Sequence, residues 1–168
     1  MISPSAFFRV MVSYTIVNAL NVSTLPARRL EIEITETAVI DDSDQVLSNL
    51  KALRELGVRI ALDDFGTGYS SLTCVQKLSP DSIKIDGSFV RELATNAGSR
   101  SIVKSVIYLS RDLSINVVAE GIETSEQLKF LRLNDCNEGQ GYFVGLPKSA
   151  NEIGPYLLSM DAVEISAA

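Results

Sequence analysis

Apolar residues recur along the chain at two periods, and the switches between them outline a succession of helices and strands. Residues 4–21 carry a helical period. Phe7, Val10, Met11, Tyr14 and Val17 share one face, and Phe8, Val12, Ile16 and Leu20 form a second apolar row beside it. Ser3 supplies a cap and Pro4 suits the first turn. After Pro26 the period drops to two: Leu30, Ile32 and Ile34 alternate with Glu31 and Glu33, which predicts a strand. Residues 43–56 return to the helical period, with Ser43 as cap, Val46, Leu47, Leu50, Leu53 and Leu56 as the apolar face, and Gly57 as the stop. A short apolar strand over 58–62 follows, then the turn Gly66-Thr67-Gly68 and a helix at about 70–78. Further strands are predicted at 82–85, 115–119 and 137–143, and further helices at 98–113, 124–133 and 151–159.

A leading helix followed by five strand–helix units means a parallel sheet with helices outside. An open doubly wound sheet could be built this way, but no Gly-x-Gly-x-x-Gly opens the first helix. A (β/α) barrel needs eight units and typically about 250 residues. A chain of 168 residues that starts on a helix therefore reads as an incomplete parallel barrel, with residues 1–159 as one domain and 160–168 as a frayed tail.

Composition narrows the chemistry. Hydrophobic residues are 46% and charged residues 21%, the balance of a globular chain. The net charge of −6 argues against a general nucleic-acid binder and so against DNA. There is no His, which removes every Ser-His, Cys-His and zinc-His mechanism. Two Cys, Cys74 and Cys136, are too few for a disulfide framework and fit two buried thiols in a reducing cytoplasm. The most apolar stretch, 7–20, holds Arg9, Ser13, Thr15 and Asn18 and is too short to span a membrane.

Polar residues gather at the strand ends. Glu33 and Glu36 close the first strand, Asp63 and Asp64 follow the second, Lys84 and Asp86 mark the third, Glu120 and Glu123 the fourth, and Gln140 the fifth. Each has a structural explanation when taken singly: a solvated strand end, a turn cap, a helix entry. In a parallel barrel, however, these ends share one face, the face on which chemistry is assembled. Four carboxylates converging there would raise one another's pKa. Bound divalent cations remove that cost, and all-oxygen donors select a hard ion, Mg²⁺, Mn²⁺ or Ca²⁺. Two such ions are a standard device for attack of water on a phosphodiester. The Gly66-Thr67-Gly68 turn is weak support for phosphate binding, and Phe65 and Tyr69 suit packing as well as base stacking.

The ordered segments Glu33-Ile34-Thr35-Glu36, Asp63-Asp64-Phe65-Gly66-Thr67-Gly68-Tyr69-Ser70-Ser71-Leu72, Lys84-Ile85-Asp86, Ala119-Glu120-Gly121-Ile122-Glu123 and Gln140-Gly141-Tyr142, with Pro147 beyond, resemble the EAL-domain cyclic di-GMP phosphodiesterases of bacteria. The resemblance covers about residues 1–155. It implies a (β/α) barrel that hydrolyses cyclic di-GMP to a linear dinucleotide with Mg²⁺ or Mn²⁺. It implies Glu33 and Asp63 as ligands of one ion, and Asp63, Asp64 and Glu120 as ligands of a second. Lys84 resembles the lysine that touches the attacking water, and Gln140 the glutamine near the same site. Glu36 resembles the anchor of the loop at 64–72, whose Phe65, Gly66, Thr67, Gly68, Tyr69 and Ser70 are implied in substrate or dimer contacts.

The sequence also departs from that pattern. No Glu-Ala-Leu segment occurs, so two of the four ligands expected for the first ion are missing, and the substrate-contacting Arg is missing with them. Ile2-Ser3 follows Met1 where the family has an Asn. Three readings compete: a truncated phosphodiesterase domain that is weak or inactive alone, a non-catalytic module that binds cyclic di-GMP or a protein partner, and a passive fragment. The first is preferred because the later carboxylates are intact. It carries expectations of weak metal binding at Asp63, Asp64 and Glu120 and of upstream signalling domains. An inner sheet face made apolar by Ile32, Ile34, Ile60, Leu62, Ile83, Ile85, Val117 and Ala119 would, with two open sheet edges, drive the chain to a homo-oligomer, most simply a dimer.

Overall fold

The alternating periods become five parallel strands with helices between them in a computed structural model that describes residues 15–41, 43–67 and 72–156. Helix α1 covers 15–23, and a 3-10 turn at Ala27–Arg29 leads into β1 (Glu31–Thr35). Two helices follow, α2 (Glu36–Asp41) and α3 (Ser43–Glu55). The chain then runs through β2 (Arg59–Phe65), α4 (Leu72–Leu78), β3 (Ser82–Ile85), α5 (Gly87–Arg91), α6 (Ala97–Asp112), β4 (Asn116–Ala119), α7 (Ser125–Leu133) and β5 (Glu138–Gly139). Helix α8 covers 150–156. Of the expected first helix, residues 4–14 lie outside the described residues, as does the tail 160–168.

Local chemistry sets the helix starts. The Asp86 carboxylate accepts the Ser88 N–H at 2.9 Å and caps α5. The Asn96 side chain accepts from Gly98 and Ser99 at the start of α6. Thr124 and Gln127 form a reciprocal capping box on α7.

The strand order is β1-β2-β3-β4-β5, every pair parallel. A doubly wound sheet would reverse its order at a switch point. A strictly sequential order is that of a barrel wall, and it settles the choice between the two architectures. Parallel partners point to the same side, so the register separates two faces. Ile34, Leu62, Ile83 and Val117 are in register on one face, as are Ile32 and Ile60, and Phe65, Ile85 and Ala119. That face meets the helices: Ile60, Leu62, Ile83, Ile85, Val117 and Ala119 form one core with Val75 and Leu78 of α4, Val103 and Ile107 of α6, and Leu131 of α7, and Ile34 packs against it. Burying each Ile, Leu or Val contributes about 1.5–3 kcal/mol.

This corrects the expectation of an apolar inner face. The residues expected there face the helices instead, and the opposite face is polar. Ser82 Oγ donates to Glu31 Oε2 at 3.2 Å, Arg59 pairs with Glu31 at 3.6 Å, and Asn116 Nδ2 donates to Glu138 Oε1 at 2.7 Å. Alternation alone does not say which face carries the helices. Three other features differ from the sequence reading. Helices α2 and α5 are additional, β2 runs three residues further, to Phe65, and β5 is only two residues long. Both cysteines are free thiols, and burial pushes the Cys136 thiol up to about 11. Among the described residues no helix is long and apolar enough to cross a membrane.

Candidate active site

The site begins with an irregularity in β2. Leu62 pairs with Ile83 and Phe65 with Ile85, so three steps on β2 match two on β3. The extra residue makes a β-bulge at Asp63-Asp64. Successive strand side chains normally point to opposite faces. Asp64 at φ 54 breaks that alternation, in a left-handed conformation that Asp tolerates better than most residues. Both aspartates thereby reach one mouth. The turn is held behind them: Thr67 Oγ1 donates to the Asp64 carbonyl at 2.9 Å. Gly66 has φ 100, and a Cβ there would stand 2.9 Å from the Phe89 ring.

Lys84 projects from the middle of β3 onto the polar face and is buried. Its Nζ lies 2.7 Å from Glu33 Oε1, 2.6 Å from Glu120 Oε1 and 3.3 Å from Asp63 Oδ1. Burial alone would lower the ammonium pKa, but the hydrogen bonds to Glu120 and Glu33 and the charges of Glu120 and Asp63 raise it, so Lys84 is a fixed cation. Gln140 Nε2 donates to the same Glu120 oxygen at 2.8 Å and orients it. The ends of β1, β2, β3, β4 and β5 thus meet in one network.

Asp63, Asp64 and Glu120 each place a carboxylate oxygen within 4.8 Å of the others. Burial, then the neighbouring Asp63 and Asp86, push the Asp64 carboxyl above its usual range. Lys84 is one cation among four carboxylates, and the site remains short of positive charge. Asp63 Oδ1 is buried and accepts no hydrogen bond; its charge partner is Lys84. An under-neutralised set of close oxygens with an unsatisfied buried acceptor fits a hard divalent cation. Glu33 stands outside the three-carboxylate cluster and is linked to it through Lys84.

The other expected residues divide. Glu36 opens α2 and is buried, and α2 packs on β1, β2, α3 and α4, behind the bulged turn. Phe65 belongs to the helix-side core at 6% exposure, which corrects its expected place on a contact surface. Gly66 and Thr67 shape the turn, while Gly68, Tyr69 and Ser70 lie outside the described residues. A cavity of about 550 Å³ opens beside Glu120 and Gln140, with Arg91, Glu123 and Tyr142 in its wall. Arg91 escaped the sequence reading because the five-residue α5 starts at a glycine and shows no helical period.

The fold and site define an α/β protein of barrel type with an acidic centre at its strand ends. The chain belongs to the EAL domain family, whose model matches residues 2–147. It is 43% identical over 130 residues to the cyclic di-GMP phosphodiesterase NbdA of Pseudomonas aeruginosa, covering 77% of this chain and 17% of that protein. The MucR phosphodiesterase of the same organism, solved in complex with cyclic di-GMP, superposes with a TM-score of 0.78 at 40% identity, over 82% of this chain and 56% of that one. Klebsiella pneumoniae BlrP1, solved with manganese and cyclic di-GMP, gives a TM-score of 0.71 at 38% identity, over 83% of this chain and 34% of that one. The chain spans about a fifth of the length of the curated relatives it matches.

Proposed function

We propose that this chain binds cyclic di-GMP and, with Mg²⁺ or Mn²⁺, hydrolyses a phosphodiester bond to give a linear dinucleotide, slowly when it stands alone. The observation that carries the reading is the convergence of Asp63, Asp64 and Glu120, with Lys84 and Gln140 both on Glu120. Asp63, Asp64 and Glu120 would hold a divalent ion, Asp63 being shared with Glu33 if a second is held. The chemistry such an ion supplies when bound is neutralisation of phosphate charge and a nucleophilic water at neutral pH.

The chain's own groups do the rest. Lys84 keeps a cation between Glu33 and Glu120, where it can donate to a water or to a phosphate oxygen. Gln140 fixes the rotamer of Glu120. The bulge holds Asp63 and Asp64 side by side. The reaction is slow in the isolated chain because no Glu-Ala-Leu glutamate is present to complete the ligand set around Glu33 and Asp63. Among the described residues β1 and β5 each pair on one side only, which supports a further part of this reading, self-association of the isolated chain, measured by light scattering at several concentrations. The function is tested by incubating the 168-residue chain with cyclic di-GMP and Mn²⁺ and separating the products. A slow yield of linear dinucleotide, lost in Glu120→Gln, supports the proposal. Binding without any product overturns the hydrolytic part of it, and no binding at all overturns both parts.

A further inference from the structure

Gln140 reaches the site from beyond the end of its strand. β5 stops at Gly139, whose ladder partner is Ala119, and Gln140 is exposed, so packing does not set its side chain. Three main-chain hydrogen bonds hold the segment instead. Gln140 N–H donates to the Ala119 carbonyl at 2.8 Å, Ile122 N–H donates to the Gln140 carbonyl at 3.1 Å, and Phe143 N–H donates to the Ile122 carbonyl at 2.9 Å. Ile122 is fully buried and serves as the fixed point. The Gly141 carbonyl accepts from Val144 and Gly145, each at 3.0 Å, and this turn brings Phe143 back to Ile122. Ile122 thus holds the main chain on both sides of Gly141.

This hold requires a glycine at 141. A Cβ there would fall inside the van der Waals radii of Ile122 N and Ile122 O, the two atoms that make the hold, and backbone has no rotamer by which to yield. Gly139, on the other side of Gln140, is placed differently. A Cβ there would stand 2.5 Å from Ile122 Cδ1, the end of a side chain that lines a cavity of about 300 Å³ and has room to turn. With the main chain fixed, Gln140 Nε2 donates to Glu120 Oε1 at 2.8 Å, the oxygen that Lys84 Nζ also meets at 2.6 Å. Partners of this kind set the direction of a carboxylate that holds an ion. We infer that Gly141 is a positioning residue for the candidate cation site: by admitting the Ile122 backbone it fixes Gln140, and through Gln140 it orients the Glu120 carboxylate toward Asp63 and Asp64. The inference rests on the reading of those three carboxylates as a divalent-cation site.

Gly141→Ala, Gly139→Ala and Gln140→Ala in the 168-residue chain test it, first by NMR without metal. The Gln140 side-chain amide signals should stand apart from those of free glutamine in the unaltered chain and move to the free position in Gly141→Ala. Hydrogen exchange at the Ile122 and Phe143 amides should rise about tenfold or more in Gly141→Ala, while the core amides of Ile83 and Val117 stay as they were. Gly139→Ala should leave those rates within about twofold of the unaltered chain. Mn²⁺ affinity, read from the EPR signal of the free ion, should fall about tenfold in Gln140→Ala and in Gly141→Ala, and no further when the two are combined. A merely structural role for Gly141 would speed exchange at all four amides and multiply the two losses of affinity, and that result overturns the inference. If Gly141→Ala does not fold, Gly139→Val, whose branched side chain the Ile122 methyl cannot clear, takes its place with the same expected results. An unaltered chain that takes up no Mn²⁺ refutes the cation reading, whereas Mn²⁺ uptake with unmoved Gln140 signals in the substituted chain refutes the positioning alone.

Discussion

On its helix side the sheet presents Ile60, Leu62, Ile83, Ile85, Val117 and Ala119, none more than 1% exposed. On its other side the same strands present Glu31, Glu33, Asp63, Ser82, Lys84 and Asn116, joined by hydrogen bonds and ion pairs. The two sets alternate residue by residue, so each strand serves both. The first set stabilises through area removed from water and tolerates nothing polar. The second costs stability, because carboxylates are crowded around one ammonium and one of them is held above its ordinary pKa. The division follows a common pattern: binding and catalysis need groups that a stability-optimised surface would not keep.

The largest effect expected from breaking this comparison is on the apolar side. Ile83→Ala, in the centre of the sheet, should destabilise the chain by about 3–4 kcal/mol, read from the midpoint of urea unfolding. A loss below about 1 kcal/mol would mean that the helices do not close over β3 as described.

On the polar side Glu120→Gln should leave the fold standing and lower product formation at least about a hundredfold, because it removes a cluster carboxylate and a partner of both Lys84 and Gln140. Quantitative product analysis at matched protein stability measures this. Unchanged turnover would remove Glu120 from the chemistry.

Lys84→Met separates the two faces in a single residue. Its neighbours Ile83 and Ile85 remain in the core, but Glu33, Asp63 and Glu120 lose their common cation. A loss of about 2 kcal/mol is expected without metal, less than for a fully buried pair because Glu33 is half exposed. Added Mn²⁺ should restore more stability to this variant than to the unaltered chain. Equal Mn²⁺ effects in thermal unfolding would show that Lys84 and the ion do not share the same carboxylates.

The sequence made some of this legible and concealed the rest for physical reasons. Strand-end chemistry could be read because Asp63-Asp64, Lys84, Glu120 and Gln140 each follow an apolar run, and a parallel sheet collects such ends on one side. The bulge could not be read. Two successive aspartates look like the end of a strand, so β2 appeared to stop at Leu62, whereas pairing continues to Phe65. Phe65 reads as a loop residue for the same reason, and it is core. Glu31 and Glu33 signal a polar face, but the pattern does not say whether the apolar residues on the alternate positions face inward or towards the helices, because period two marks two faces without saying which carries helices. The short α2 and α5 lack the two turns that a helical period needs to show itself.

The smallest effect concerns Asp64, and its sign differs between the metal-free and the metal-bound protein. Burial and the charges of Asp63 and Asp86 raise its folded pKa above the unfolded value near 3.8. In the metal-free chain the folded state therefore holds the Asp64 proton more tightly than the unfolded state does. Its contribution to stability is greatest below about pH 4, falls as pH rises through the raised value, and is flat above it. Asp64→Asn removes that decline, so the variant should be slightly more stable than the unaltered chain at pH 7 and indistinguishable in trend near pH 3. Asp86, whose pKa is lowered because its hydrogen bonds from Ser88 outweigh burial, contributes in the opposite direction in both proteins. Mn²⁺ should reverse the ranking: the ion favours an ionised Asp64, so saturating Mn²⁺ at pH 7 should stabilise the unaltered chain more than Asp64→Asn. Thermal unfolding of both proteins from pH 3 to 7, with and without Mn²⁺, gives the four curves needed. If Asp64→Asn gains as much from Mn²⁺ as the unaltered chain, Asp64 is not a ligand, and the left-handed bulge that places it serves the turn alone.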